Sequence, residues 1–333
     1  MKKFNVAILG ATGAVGREML KVLEERDFPI GDLRLLASAR SVGKEIEFKG
    51  RTYTVQEACP TAFEGMDIVL GASTNAVAKE LAPYIVKAGA VLVDNSSAFR
   101  MDPDVPLIVP EINGADAKNN KGIISNPNCS TIITLVAVNG INKLSPIKSM
   151  VASTYQAVSG AGATGPVELE AQTKALAEGK PVECNTFPYQ IAANLIPQIG
   201  GFNDDGYTTE EMKMQNEGRK ILHLPELTVS CTCVRVPVVR SHSIMATVKT
   251  ADKLTVDQVK EAIANAPGCV LVDNPAEKKY PMPLDTSDQD LVFVGRIRED
   301  LTDDHGIVLW CCGDQVRKGA ATNAIQIAEL LTK

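Results

Sequence analysis

A short apolar run that passes directly into Gly-Ala-Thr-Gly-Ala-Val-Gly is the feature that most restricts this chain. Residues 5–9 read NVAIL, and glycines at 10, 13 and 16 open the helical pattern REMLKVLEER. Glycines at this spacing allow a tight turn and let the backbone approach a pyrophosphate, which then rests on the N–H groups of a helix N-terminus. Further apolar runs follow over the first 100 residues (LRLLAS, MDIVLGA, AVLVDN), with helical stretches such as AVAKELAPYIVKAG between them. That alternation predicts βαβ units and a Rossmann-type, parallel-sheet nucleotide-binding domain. Gly10, Thr12, Gly13, Ala14 and Val15 are the residues expected to hold the cofactor.

The residue that reads the adenosine ribose is expected at the end of the second strand, about 20 positions on. There the chain has LRLLASARSVG, with no acid. A carboxylate would accept a bond from a 2′-hydroxyl and repel a 2′-phosphate, whereas Ser38, Arg40 and Ser41 suit the phosphate. The expected cofactor is therefore NADP.

From about residue 146 the rhythm changes. Longer β-rich stretches appear (KSMVASTYQAV, ELTVSCTCVRVPVV, SIMATVKT, DLVFVGRIRE, GIVLWCCG), with helical VELEAQTKALAEG and TVDQVKEAIANA between them. This predicts a second, α+β domain with a mixed, largely antiparallel sheet. The expected division is 1–127 with 316–333 for the nucleotide domain and 128–315 for the catalytic and dimerisation domain. The terminal GAATNAIQIAELLTK reads as an amphipathic helix returning to the first domain.

Composition narrows the function. The net charge of −6, without a basic run, argues against nucleic acid and anionic membranes as partners. The apolar run IITLVAV is far shorter than the ~20 residues a membrane span needs. Eight cysteines include no CxxC pair, so no metal site is expected, and reduced thiols in a cytoplasmic protein are the better reading.

One cysteine stands apart. Cys129 lies between the turn NPN (126–128) and the helical STIITLVAVNGI. Unpaired N–H groups and the positive end of the helix dipole favour thiolate over thiol at such a place. Among the three histidines, His242 is the favoured partner, because it follows a strand that carries Arg235 among apolar residues. Strand alternation puts Arg235 on one face with Cys231 and Cys233, and an arginine there needs an anion.

Seven segments in order make the chain resemble the aspartate-semialdehyde dehydrogenases over its whole length. They are GATGAVG (10–16), DNSSAFR (94–100), NPNCST (126–131), YQAVSGAG (155–162), EEMK (210–213), RVPVVRSHS (235–243) and GDQVRKGAATNA (313–324). The resemblance implies reduction of L-aspartyl 4-phosphate by NADPH to L-aspartate 4-semialdehyde and phosphate through a cysteine thioester, in lysine, methionine and threonine biosynthesis. It implies a homodimer built through the second domain.

It also implies roles. Cys129 is the nucleophile, His242 the general acid/base, and Gln156 the residue that orients the acyl group. Arg235 forks onto the α-carboxylate and Glu210 receives the α-ammonium, with Glu211 adjacent as an alternative. Arg100 and Lys213 bind phosphate, with Asn128 near it. Ser159, Gly160 and Gln315 contact the cofactor. The rival readings are an N-acetyl-glutamyl-phosphate reductase, whose nucleophile motif has Gly before and Tyr after the Cys where this chain has Asn128 and Ser130, and a non-catalytic NADP-binding regulator.

Overall fold

Each apolar run of the first third becomes a buried strand, and the returning segments bring the chain back to the same end, so all strands of the first sheet point one way. In the computed structural model, which describes residues 2–332, this part contains β1 (Phe4–Leu9), α1 (Ala14–Glu25), β2 (Ile30–Ala37), β3 (Glu45–Phe48), β4 (Arg51–Thr54), β5 (Gln56–Glu57), β6 (Ile68–Gly71), α2 (Asn75–Lys87), β7 (Val91–Asp94), α3 (Pro110–Asn113) and β8 (Ile123–Ser125). The sheet runs β5-β2-β1-β6-β7-β8 with every pair parallel. The strand order reverses between β1 and β6, and a crevice at the carboxyl ends of two such strands is where open α/β sheets bind ligands.

The sequence reading did not anticipate β3 and β4, which form a separate antiparallel hairpin. Their link is Lys49-Gly50, both at positive φ (+46° and +71°), the backbone signature of a two-residue hairpin turn. The C-terminal helix, Thr322–Leu330, packs on α1. Ala324, Ile325 and Ala328 share a core with Met19 and Leu23, and Arg26 forks onto the Glu329 carboxylate with two bonds of 2.7 Å. This first unit comprises the residues through Asn128 and those from Ala320 onward.

The second unit, Cys129–Gly319, begins with α4 (Cys129–Leu144). It continues with β9 (Ile147–Gln156), α5 (Thr164–Ala177), α6 (Thr209–Leu222), β10 (Thr228–Arg235), β11 (His242–Thr250), α7 (Val256–Ala264), β12 (Cys269–Leu271), α8 (Pro283–Thr286), β13 (Val292–Glu299) and β14 (Gly306–Gly313). Its sheet is mixed, in the order β10-β9-β11-β14-β13-β12. The three inner pairings are antiparallel and the two outer ones parallel.

Every residue of α4 from Ser130 to Ile141 is buried, as expected of a helix that is apolar on all sides. It packs on α6, α7 and the sheet. Gly140 permits the approach to α7, since a Cβ there would lie 2.8 Å from the Ala262 carbonyl oxygen. The other face of the sheet carries exposed Val151, half-buried Met245, and Tyr155 against Trp310 with ring centroids 5.4 Å apart. Among the described residues no helix is long and apolar enough to cross a membrane.

Candidate active site

The chain enters α4 through Asn126-Pro127-Asn128, and this turn is held by a ladder of amides. Asn126 donates to Asn95 Oδ1 (2.6 Å), and Asn323 of the C-terminal helix donates to Asn126 Oδ1 (2.6 Å). The Asn126 N–H bonds the Asp94 carbonyl at 2.7 Å. Cys129 is therefore the first residue of a helix whose entry is fixed. A Cβ at Gly319 would lie 2.8 Å from Cys129 Cβ, so only glycine leaves room for the thiol's own residue.

The other cysteines differ in kind. Cys231, Cys233, Cys311 and Cys312 are buried. The hydrogen bond to Cys233 and burial raise the Cys231 thiol, and burial pushes Cys312 up to about 11 and raises Cys311 as well. These are inert thiols. Among the described residues no cluster of metal-binding side chains occurs.

His242 opens β11 and is completely buried. Its Nε2 lies 3.5 Å from Cys129 Sγ, and its Nδ1 accepts the Ala157 N–H at 3.1 Å. A ring nitrogen that accepts cannot also carry a proton, so the neutral ring holds its proton on Nε2, toward the sulfur. Burial, and then the Arg235 charge, bring the pKa of His242 down to about 3, against a smaller opposing pull from Glu210. The ring is neutral at physiological pH.

Arg235 ends β10 on the face shared with Cys231 and Cys233. It is buried, donates from Nη1 to the Ala157 carbonyl at 2.8 Å, and lies over the Phe187 ring at 6.0 Å. Burial lowers its pKa, while Cys129 and Glu210 attract its charge. The two backbone groups of Ala157 thus fix the two side chains that flank the thiol.

Gln156 sits opposite Arg235 in the parallel β9–β10 ladder and donates from Nε2 to Glu210 Oε1 at 3.3 Å. Lys213, one helical turn along α6, holds Glu210 Oε2 at 2.8 Å. Glu211 has different work. Its carboxylate accepts the N–H of Thr208 (2.7 Å) and of Cys233 (2.9 Å), closing a capping box with Thr208 and tying α6 to β10. Glu210 is the acid beside Gln156.

Ser159 and Gln315 bond each other, and Gln315 Oε1 accepts the Ser241 N–H at 2.9 Å. Gly160 lies against the pair that flanks the thiol: a Cβ there would meet Arg235 Nη1 at 2.8 Å and His242 Cε1 at 3.0 Å. The remaining histidines lie elsewhere, His223 as the left-handed cap of α6 and His305 in the turn before β14 with Nδ1 near the Ala251 carbonyl at 3.2 Å.

In the first unit the glycine turn forms a cradle. Gly10 has φ +92°, and a Cβ there would lie 2.4 Å from the Ala72 oxygen; one at Gly16 would lie 2.3 Å from the Gly10 oxygen. Helix α1 starts after Gly13 with no side-chain cap and no acid in its first turn, so its N-terminus suits an anion. Thr12 Oγ1 bonds Ser41 Oγ at 3.4 Å, and Ser38 and exposed Arg40 occupy the same loop. The buried Ser73 Oγ, just past β6, makes no hydrogen bond in the structure. These residues fit a dinucleotide. Arg100, buried in the loop after β7, donates to the carbonyls of Ser96 (3.0 Å) and Asn95 (2.9 Å).

Family models match nearly the whole chain: the semialdehyde dehydrogenase NAD-binding domain over residues 5–120 and the semialdehyde dehydrogenase dimerisation domain over residues 138–318. A curated aspartate-semialdehyde dehydrogenase of Aquifex aeolicus is 52% identical, covering 99% of this chain and 98% of its own. That of Bacillus subtilis is 49% identical over 99% and 97%. The chain belongs to the aspartate-semialdehyde dehydrogenase family. Its fold matches the crystal structure of aspartate semialdehyde dehydrogenase II of Vibrio cholerae complexed with ASA, with a TM-score of 0.97, 46% identity and coverage of 100% and 99%. The Candida albicans enzyme with NADP matches at TM-score 0.77, 25% identity and 99% coverage of both chains.

Members of this family are oxidoreductases, and the chain is one, with a nucleotide-binding first domain and a dimerisation domain. Within this frame the sequence reading missed Ala157, Phe187 and Ser73. Ala157 acts through its backbone and leaves no side-chain signal. Ser73 was reachable, because it follows a strand at the switch point of the sheet.

Proposed function

We propose that the chain reduces L-aspartyl 4-phosphate to L-aspartate 4-semialdehyde, releasing phosphate, with NADP as its cofactor. The observation that carries this reading is the Cys129–His242 pair, 3.5 Å apart at a helix N-terminus, with buried Arg235 and Glu210 of opposite charge beside it.

The Cys129 thiolate attacks the acyl phosphate, forming a C–S bond as phosphate leaves. A thioester is reducible where a carboxylate is not, which is why the chemistry needs a thiol here. A bound NADPH supplies the hydride. Gly10, Thr12, Gly13, Ala14 and Val15 would hold its pyrophosphate, and Ser38, Arg40 and Ser41 its 2′-phosphate. Ser159, Gly160 and Gln315 are assigned to further cofactor contacts. His242 presents Nε2 to the oxygen of the group on Cys129, and Gln156 orients that group.

The substrate is a zwitterion with an anionic phosphate, and the paired charges suit it. Arg235 gives one Nη–H to Ala157 and has further N–H groups for a carboxylate. The substrate ammonium would replace Lys213 at Glu210 and leave Lys213 to the phosphate, with Arg100 as the second cation. Two copies would form a homodimer through the bare face of the second sheet, around Val151, Tyr155 and Trp310, in a cytoplasmic biosynthetic enzyme.

The test is kcat/KM for aspartate semialdehyde and for N-acetyl-glutamate semialdehyde, each with phosphate and NADP, read as NADPH absorbance. An N-acetyl group removes the ammonium and leaves Glu210 facing a neutral amide, so preference for the free amine of about 10²-fold or more is expected. Comparable values would overturn the assignment, and absence of turnover with either would favour a non-catalytic cofactor-binding protein.

A further inference from the structure

We propose that Phe187 is a positioning residue whose ring braces the Arg235 guanidinium for the substrate carboxylate, and that Glu168 and Gln172 of α5 anchor the loop that carries it. The inference rests on Arg235 receiving the α-carboxylate and concerns what aims that fork.

A long arginine side chain has many rotamers, and ordering them at the moment of binding weakens affinity. The bond from Nη1 to the Ala157 carbonyl, at 2.8 Å, holds one corner of the guanidinium. The Phe187 ring supplies a second constraint. The guanidinium carbon lies over it at 6.0 Å from the centroid, within reach of a cation–π attraction that strengthens when water is excluded. Both side chains are buried. The ring braces the cation without accepting an N–H, so the remaining donors stay available to a carboxylate.

The loop that delivers the ring is held in an unusual way. Between α5 and α6, residues 178–208 run through turns, bends and isolated bridges. A segment of that length in a compact domain is uncommon unless it serves a site. Two buried polar side chains, one turn apart on α5, pin it. Glu168 accepts the N–H groups of Asn185 (3.0 Å), Thr186 and Phe187 (3.3 Å). Gln172 donates to Glu168 Oε1 at 3.1 Å and accepts the N–H groups of Ile191 (2.8 Å) and Ala192 (3.1 Å). Farther along, Ile196 exchanges both backbone bonds with Arg235, at 3.0 and 2.8 Å. Phe187 shares a core with Ile191, Ile196 and Val158, and Val158 follows the Ala157 that holds Arg235. One loop therefore fixes the backbone of Arg235 and covers its charged end.

The experiment replaces Phe187 by 4-fluoro-, 3,5-difluoro- and 3,4,5-trifluorophenylalanine, which drain negative charge from the ring face with little change of shape. In the oxidation of aspartate semialdehyde, its KM should rise stepwise with fluorine number. Phe187→Leu should raise it about tenfold, by more than kcat falls, with KM for phosphate and NADP within about twofold of wild type. Glu168→Gln should move the same constant in the same direction. A KM that ignores fluorination, or an equal rise for all three substrates, would show a ring that only packs and would overturn the proposal. The α-methyl ester of aspartate semialdehyde separates this outcome from failure of the Arg235 reading. Wild type should prefer the free acid by about 10²-fold. Equal use of acid and ester would remove Arg235 from the carboxylate and the proposal with it. A clear preference alongside a flat fluorine series would overturn the brace alone.

Discussion

Replacing Gly160 by alanine probes how tightly the loop after β9 is pressed onto the reacting groups. The added methyl would sit 2.8 Å from Arg235 Nη1, 3.0 Å from His242 Cε1 and 3.2 Å from His242 Nε2. Non-bonded atoms of this kind prefer about 3.6 Å, so the ring or the loop must move by roughly half an ångström. The ring is held by the Ala157 N–H and the guanidinium by the Ala157 carbonyl, so neither swings aside without losing a buried bond. Misplacement of a reacting group on the ångström scale costs on the order of 10² in rate, and overpacking costs about 1–3 kcal/mol in stability. The expected result is a fall in kcat of one to two orders of magnitude with a modest drop in Tm, measured by NADPH formation from aspartate semialdehyde, phosphate and NADP. A variant within about twofold of wild-type kcat would refute this picture of a crowded, fixed pair.

Cys129→Ala should abolish turnover and leave NADPH binding by fluorescence titration intact, whereas alanine at Cys231, Cys233, Cys311 or Cys312 should cost about 1–2 kcal/mol without stopping catalysis. Arg40→Asp should narrow or reverse the preference for NADPH over NADH in KM, because a carboxylate would face the 2′-phosphate; equal use of both cofactors by the wild type would contradict the assignment. Glu168 is buried, which opposes its charge, but the N–H groups of Thr186, Asn185 and Phe187 win and hold its carboxyl below the ordinary range. Its contribution is therefore present above the unfolded pKa and lost as pH falls through the folded value. Glu168→Gln should cost about 2–3 kcal/mol at pH 7 in urea unfolding, and the gap to wild type should shrink on acidification below the usual carboxylate range.

The parallel sheet was legible because its inner strands β1, β6 and β7 are buried on both faces and read as continuous apolar runs. The edge strand β5 is exposed and polar and left no such signal. Alternation likewise placed Cys231, Cys233 and Arg235 on one side of β10, and burial follows that alternation. The hairpin at 45–54 was not read, since EIEFKGRTYT is mostly polar and only the Lys-Gly turn marks it. Choosing between Glu210 and Glu211 was open from the sequence, although Thr-x-x-Glu at 208–211 is a capping box that assigns Glu211 to the backbone. The parallel pairing of β9 with β10, which brings Gln156 beside Arg235, joins segments about 80 residues apart and leaves no local trace. Nor does any side chain announce that the Ala157 backbone sets the tautomer of His242.

The central claim is that an acyl group resides on Cys129, and withholding phosphate tests it most directly. Enzyme mixed with aspartate semialdehyde and NADP, but no phosphate, should release about one NADPH per site and stop, since only phosphate can lift the acyl group from sulfur. Intact-mass and peptide analysis should then find one aspartyl group on Cys129, and adding phosphate should remove it and restore turnover. Sustained turnover without phosphate, or an adduct on any residue other than Cys129, would contradict the account.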